Sequence, residues 1–482
     1  MRQLNELTPL LARAKTAREN AQWAKAVSLY QELDRTQLTS YEVKHGLGLT
    51  YFSWGKFREA IQSCSEALAL NPELWQSVIL IAKAHRELGA LDSAFQFFKS
   101  IMNHPLGSSQ ARIGLADISM NQFGRPLDAI ELVRPLRHDS SYAADAILTT
   151  LMASLYDRAD WNVPGNAAAL SQRVKDFSRQ YLCLPELQLT KFSNRETQYL
   201  KNGYRPRVGL ISPLFCTSPV YFLTIAGWRQ IAPNCEIVIF NRGYQQDWAT
   251  DNFRELSSQW LDVQQLSATQ LAEQIRAQDL DVLYDLGGWM DAVALKALSA
   301  KPARQMFKWV GGQSITTGLT CFDGWIGDAS HSPSSLQNLY SEPLIQIPNN
   351  YTTYTPPSYL PKIAKRKINT PCIFANPAKV STPFLKSLEN IPGRKVFIHR
   401  QYLYPQAQER IIKALGKSAT FITPGSHEEA LQALNSHAVM IDTFPYSSGL
   451  TAREALAMGT QVQVLQIGEL FCERHMAFSI RH

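Results

Sequence analysis

The sequence predicts an α-helical repeat array followed by two α/β lobes, and three observations carry that reading. Small residues recur at Ala26, Ala60, Ala94 and Ala129, spaced 34, 34 and 35 residues apart. Beyond residue 203 the hydrophobic pattern changes to short apolar runs alternating with helix-length amphipathic segments. The 482 residues leave room for about three domains at roughly 150 residues each.

The repeats come first. Trp23, Phe57, Leu91 and Pro126 stand three positions before the small residues, and Gly55, Gly89 and Gly124 precede the later three. The fullest copy, GLGLTYFSWGKFREAIQSCSEALALNP, closes at Pro72. Small residues let two helices of a hairpin approach, glycine turns the chain between them, and proline ends the unit. The pattern resembles the tetratricopeptide repeat, with about four units between residues 10 and 138 and a degenerate hairpin reaching Trp161. The array is assigned to 1–160. Such pairs bury their apolar faces only by stacking into a superhelix, whose concave groove holds a peptide or partner protein. A scaffold or self-association surface is the other use of such an array.

A polar helical stretch after Pro164-Gly165 is expected to be a linker (161–202). Then follow strand Arg207–Ser212, a helix around Tyr221–Gln230, strand Glu236–Phe240, a helix near Ala268–Gln278 and strand Asp281–Asp285. Lys308–Val310 and Gly324–Gly327 read as further strands, which completes a lobe over 203–365. After the basic, Pro-rich segment Tyr354–Lys367, strands at Cys372–Ala375, Lys395–His399, Thr420–Thr423, Ala438–Thr443 and Gln461–Gln466 alternate with four helices. These form a second lobe over 366–482. Alternation of this kind implies parallel sheets covered on both faces. Two nucleotide-binding-type lobes in tandem resemble the GT-B architecture of nucleotide-sugar glycosyltransferases. Ligands in such sheets bind beyond the carboxyl ends of the strands, so the cleft between lobes is the default site.

Composition excludes several classes. With 45% hydrophobic and 18% charged residues the chain is neither disordered nor collagen-like. The excess of 48 Lys+Arg over 41 Asp+Glu is +7, and the longest basic run, Lys362–Lys367, reads as a solvated linker rather than a nucleic-acid stripe. Seven cysteines without CxxC or CxxH spacing indicate neither a disulfide framework nor zinc. The N-terminus lacks a signal-peptide core, and no stretch approaches 18 apolar residues. The expectation is a cytoplasmic protein with buried thiols.

Three segments carry the chemistry. In Phe374–Thr382 a strand end runs into a helix, and Lys379 just before that helix is placed to meet a diphosphate with its ammonium and the helix N–H groups. In Asp442–Thr460, Ser447, Ser448 and Gly449 permit close backbone approach. There Thr451 presents a hydroxyl at the helix start, and Glu454 one turn on is suited to ribose hydroxyls. The third segment comprises two glycine-bearing loops, Asp285–Met290 and Trp309–Gly318, after strands of the first lobe. Asp279-Leu-Asp281 matches a metal-binding DxD pattern in letters alone, since it opens a buried strand rather than lying in a loop.

The order of repeats, lobes and motifs resembles the protein O-GlcNAc transferase/SPINDLY family, particularly its bacterial members, over nearly the whole chain. The resemblance places the diphosphate lysine on Lys379, a nucleobase-side contact near Asn376, the diphosphate threonine on Thr451 and the ribose carboxylate on Glu454, where the family usually has Asp. Asp323–Glu342 resembles a further, structural signature. There are departures: Ser218 and Trp289 stand where the family has histidines, and the chain stops soon after His475, short of a full closing strand and helix.

The resemblance implies an inverting, metal-independent transferase moving GlcNAc or a hexose from a UDP-sugar to a protein side chain held by the array. No cofactor or nucleic-acid partner is expected. The acceptor would be a protein or peptide such as a surface adhesin or flagellin, and the repeats could support an oligomer. The departures keep a second reading open, a catalytically weak pseudo-glycosyltransferase serving as substrate-recognition or partner subunit. A third, a pure repeat adaptor, leaves the α/β lobes without a purpose.

Overall fold

The computed structural model describes residues 2–35, 40–184, 187–193 and 203–479. The chain divides into two compact units, one of Met1–Gln122 with Pro126–Thr150, the other of Phe123–Arg125 with Leu151–His482.

The first unit is helical. Its members are α1 (Arg2–Glu19), α2 (Trp23–Arg35), α3 (Tyr41–Ser53), α4 (Phe57–Leu70), α5 (Trp75–Glu87), α6 (Leu91–Ser100), α7 (Ser108–Asn121), α8 (Pro126–Val133) and most of α9 (Ala143–Tyr156). Successive helices pack as pairs, and the spaced alanines are the reason they can. Ala26, Ala60, Ala94 and Ala129 are all fully buried. Gly46, Gly48 and Gly114 extend the same logic, because a Cβ at any of them would fall under 3.0 Å from Tyr30, Cys64 or Phe98 respectively. The turns at Gly55 (φ 80°), Gly89 (75°) and Gly124 (63°) are left-handed, the conformation glycine adopts without strain. The equivalent turn between α1 and α2 carries Ala21, at φ 55°.

The second unit holds two parallel sheets. The first comprises β1 (Arg207–Ser212), β2 (Glu236–Asn241), β3 (Gln259–Asp262), β4 (Val282–Asp285), β5 (Gln305–Lys308), β6 (Gly324–Gly327) and β7 (Leu344–Gln346), in the order β3-β2-β1-β4-β5-β6-β7. The second comprises β8 (Cys372–Ile373), β9 (Lys395–Ile398), β10 (Ala419–Ile422), β11 (Val439–Ile441) and β12 (Gln461–Gln463), in the order β10-β9-β8-β11-β12. Among the described residues every pairing between these strands is parallel. Both sheets reverse strand order at their centre, between β1 and β4 and between β8 and β11. The crevice at such a reversal is where an α/β sheet takes ligands. The β8 sheet carries apolar clusters on both faces, one around Phe384, Phe397 and Ile411, the other around Leu431, Met440 and Met458.

Several expectations are corrected. The strand expected at Lys308–Val310 is Gln305–Lys308, because Val310, Gly311 and Gly312 all have positive φ and break the extended chain. Helices Trp248–Leu256 and Ala292–Leu298 and strands β3 and β7 were not read from the sequence. The helical stretch expected after Pro164-Gly165 is present as helix Asn166–Phe177, which lies in the second unit. Trp161 packs 5.3 Å from Phe444, and Ser178 Oγ donates to Thr317 O (2.6 Å). Residues 185–186 and 194–202 of that stretch lie outside the described residues. All seven cysteines are free, and Cys183 is exposed rather than buried. Among the described residues no helix is long and apolar enough to cross a membrane.

Candidate functional site

The two strands flanking the central reversal of the second sheet deliver the two loops singled out above. After β8, Asn376-Pro377-Ala378-Lys379 form a single 3-10 turn, capped by Asn376 Oδ1, which accepts from Ala378 N (2.8 Å). Ser381 then caps helix Thr382–Glu389, accepting from Phe384 N (3.1 Å). Asp157 pins the same helix start, accepting from Thr382 N (2.9 Å) and Thr382 Oγ1 (2.8 Å). The turn therefore presents Lys379 from a braced backbone.

After β11 the chain forms the loop Asp442–Gly449. Lys379 Nζ donates to Ser447 O (3.0 Å) and lies 4.6 Å from the ring centre of Tyr446. Tyr446 is itself held on both sides: its ring stacks on Tyr156 (5.0 Å), and its hydroxyl is 2.9 Å from Ser314 Oγ of the first lobe. Asp442 Oδ1 accepts from Ser448 N (2.8 Å), and Ser447 Oγ donates to Cys472 O (2.9 Å). Burial pushes the Lys379 ammonium below its ordinary range, against the pull of Asp442's charge. Burial also raises the Asp442 carboxyl, opposed by hydrogen bonds from Ser448 and by Lys379. The loop ends in helix Leu450–Ala457, whose cap position, Gly449, offers no side chain. Its first-turn N–H groups, with Thr451 beside them, are thus open to an acceptor from outside the helix.

Glu454, one turn into that helix, is fully buried. Its Oε1 meets His427 Nε2 at 2.8 Å, and His427 Nδ1 meets the Tyr359 hydroxyl at 2.9 Å. Its Oε2 has no partner among the described residues. Aromatic rings from the first lobe close on this point. Phe222 lies 5.4 Å from the His427 ring, and Trp248 lies 6.4 Å from Tyr359. Of the residues read from sequence, Lys379, Ser448, Gly449, Thr451 and Glu454 thus converge on the two loops. Asn376 sits on the same turn with its oxygen committed to the local cap.

The positions where histidines were missed are occupied structurally. Ser218 Oγ donates to Leu214 O (2.8 Å), and Trp289 Nε1 donates to Thr316 O (3.0 Å), both side chains being buried. The Asp285 loop is a closed device as well, since Asp285 accepts from Gly287 N (2.9 Å) and Gly288 N (3.0 Å) above the buried Lys308. Asp279 pairs with Arg304, and Asp281 accepts from the Tyr204 hydroxyl. Among the described residues no group of three His, Cys, Asp or Glu is arranged for a metal ion.

Three site residues escaped the sequence reading. His427 opens a helix beyond the carboxyl end of β10, a position that the strand-end rule could have flagged. Tyr359 lies in the segment read only as basic and Pro-rich. His475, whose backbone N donates to Ser447 Oγ (2.9 Å), lies against Gly449, and burial with nearby Lys379 pushes its imidazole well below the ordinary histidine range.

A helical repeat unit followed by two parallel α/β lobes, with a lysine and an uncapped helix start meeting at a strand reversal, defines a GT-B-type protein. The glycosyl transferase family 41 model matches residues 172–390, and the tetratricopeptide repeat model matches residues 41–74. Lys379 falls inside the first match; Thr451 and Glu454 lie beyond it. A probable SPINDLY UDP-N-acetylglucosamine–peptide N-acetylglucosaminyltransferase from Solanum lycopersicum is 25% identical over 318 residues, 61% of this chain and 33% of its own length. The Caenorhabditis elegans UDP-N-acetylglucosamine–peptide N-acetylglucosaminyltransferase is 27% identical over 162 residues, 32% of this chain and 13% of its own length. A mutant O-GlcNAc transferase from Thermobaculum terrenum superposes with a TM-score of 0.77 at 21% identity, covering 91% of this chain and 84% of that one. The repeat and family 41 matches, the SPINDLY relatives and the shared fold make the chain similar to the O-GlcNAc transferase/SPINDLY family. It spans about a third of the length of the first curated relatives it matches.

Proposed function

We propose that this chain transfers a sugar from a nucleoside diphosphate sugar, UDP-GlcNAc or a UDP-hexose, to a protein side chain presented by the repeat array. The observation that carries the reading is the meeting of Lys379 with the Ser447–Thr451 loop at the β8–β11 reversal. The diphosphate would sit between the Lys379 ammonium and the first-turn N–H groups beside Thr451. Glu454 Oε2, buried and without a partner among the described residues, would take ribose hydroxyls against the aromatic wall.

In the proposed step a hydroxyl or amide of the acceptor attacks the anomeric carbon opposite the diphosphate. The new bond to the sugar forms as the sugar–phosphate bond breaks, with inversion, and the electron pair leaves on the nucleoside diphosphate. Stabilising that leaving group is the main electrostatic task, and Lys379 with the helix N–H groups supplies positive charge for it without a metal ion. General-base help is worth about 10²–10⁴-fold. The acceptor's proton would pass to an oxygen of the departing diphosphate, because the burial and neighbouring positive charge that lower the His475 imidazole oppose proton uptake there. The test is intact-mass analysis of proteins co-expressed with the chain, alongside UDP release from UDP-GlcNAc. A hexosyl or N-acetylhexosaminyl mass increment that disappears with Lys379→Ala supports transfer.

Ser218 and Trp289, both engaged with backbone carbonyls, favour a second reading, a pseudo-glycosyltransferase that binds the donor nucleotide and recruits a partner. UDP binding without UDP release or a mass increment on any co-expressed protein would select it.

A further inference from the structure

The segment Leu470–Phe478 lies between the first lobe and the Ser447 loop, and a buried histidine of the first lobe holds it there. Cys472 N donates to Ser314 O (2.9 Å), and Arg474 donates to Ser330 O through Nε (3.1 Å) and Nη2 (2.8 Å). Toward the loop, Cys472 O accepts from Ser447 N (2.8 Å) and His475 N donates to Ser447 Oγ (2.9 Å). Ser447 is the residue whose carbonyl receives Lys379. Between these contacts His331 Nε2 lies 3.2 Å from His475 O, and His331 Nδ1 lies 2.7 Å from Asp328 Oδ1.

These hydrogen bonds leave one protonation state for the His331 ring. Asp328 directly follows β6, and both side chains are buried. Asp328 Oδ1 accepts from the backbone N–H of Ser330 (2.9 Å) and of His331 (2.9 Å), and Oδ2 accepts from Tyr351 N (3.2 Å). Both oxygens are therefore acceptors, and the proton between Asp328 and Nδ1 belongs to the ring. A carbonyl oxygen only accepts, so Nε2 supplies a proton to His475 O as well. A neutral imidazole has one ring N–H and an imidazolium has two. Burial raises the Asp328 carboxyl, but the hydrogen bond and charge of His331, with the backbone N–H groups, outweigh it and hold Asp328 below its ordinary range. From the neighbouring elements Tyr351, the His475 imidazole, Arg474 and Arg453 face this pair, Arg453 across the Phe478 ring that stacks on His331. The two arginines oppose the ring's charge and Asp328 offsets it. We infer that His331 is a positioning residue: as an imidazolium bonded to both Asp328 and His475 O it fixes the segment that orients Ser447, and through Ser447 the Lys379 contact, a role that rests on reading the Ser447–Thr451 loop as the donor site. Losing the Nε2 proton sets a lone pair against the His475 carbonyl and releases the segment. Donor affinity then falls as pH rises through the titration of the ring.

Isotope-edited NMR of the histidine rings in the full wild-type chain tests the protonation state, with His331 assigned through its contacts to the Tyr351 and Phe478 rings. At pH 6 both of its ring nitrogens should carry hydrogens that exchange slowly with water. Saturating UDP should move its titration to higher pH, the reciprocal of its effect on affinity. A neutral ring at pH 6, or a titration that UDP leaves unmoved, would overturn the role. UDP titrations of wild type and His331→Gln between pH 6 and 9 give the second readout. Wild type should bind about tenfold more tightly at pH 6, and the ratio should fall toward one as His331 loses its proton. Lys379 is present in both proteins, so its own titration cancels in that ratio. Equal affinity at pH 6, or a ratio constant across the range, would overturn the positioning role and leave the donor site standing. Absence of UDP binding to the wild-type chain would remove both.

Discussion

Lys379 Nζ donates to the backbone carbonyl of Ser447 at 3.0 Å, so two loops arriving from neighbouring strands, β8 and β11, are joined there, as they are by Ser381 Oγ donating to Phe444 O. The lysine is desolvated enough to have its charge disfavoured and is held in place by Asp442 and the Tyr446 ring. An incoming diphosphate would replace a carbonyl dipole with full negative charge, so the lysine's contact with the second loop is the one a donor would exchange, while Ser381 keeps the loops joined.

Affinity for UDP should depend on pH through Lys379. The protonated form binds the diphosphate, and burial lowers the pKa, so affinity is retained below that pKa and lost as pH rises through it. The loss should begin well below the ~10.4 of an ordinary lysine. Lys379→Arg, which stays charged, should flatten the profile; titrations of UDP between pH 6 and 10 check both.

Glu454→Gln should separate ribose from phosphate recognition. The amide keeps the volume but loses the charge opposite His427. Affinity for UDP should fall about tenfold, whereas inorganic pyrophosphate, which has no ribose, should bind both proteins alike. A parallel loss for pyrophosphate would place Glu454 in support of the loop rather than in contact with the nucleotide.

Ala21→Gly should stabilise the repeat unit. Ala21 holds φ 55° at the position where the next three turns have glycine. A left-handed alanine costs roughly 1–2 kcal/mol, partly offset by glycine's greater freedom when unfolded. A net gain of about 1 kcal/mol is expected, read as a higher midpoint in urea unfolding.

Asp157→Ala should destabilise the second unit. The buried Asp157 carboxylate satisfies two donors at the start of helix Thr382–Glu389, next to Lys379. Losing it should cost about 2–3 kcal/mol and weaken UDP binding by loosening the lysine's turn. Chemical denaturation and UDP titration of one variant read both effects.

The repeats and the two loops were legible because each leaves a local mark. A small residue at fixed spacing reports close helix packing, and a lysine between a strand and a helix reports a strand-end loop. What escaped was set by distant partners or short elements. His427 matters through Glu454 and Tyr359, and no spacing announces that relay. Strand β3, Gln259-Trp-Leu-Asp262, sits at the sheet edge with no continuous apolar run. Helix Asn166–Phe177 looked like a linker because polar residues outnumber the buried stripe of Ala167, Leu170, Val174 and Phe177. That stripe follows helical spacing and fixes the segment to the second unit. Ser218 and Trp289 read as gaps in a catalytic pattern; in the fold they are buried anchors for backbone carbonyls.

The central claim is that Lys379 and the Ser447–Thr451 loop form a nucleoside diphosphate site. Isothermal titration of UDP into the wild-type chain and Lys379→Ala at neutral pH tests it directly. The account predicts one site per wild-type chain and at least tenfold weaker binding in the variant, with native far-UV circular dichroism. Absence of binding to the wild-type chain, or equal affinity in the two proteins, would contradict it.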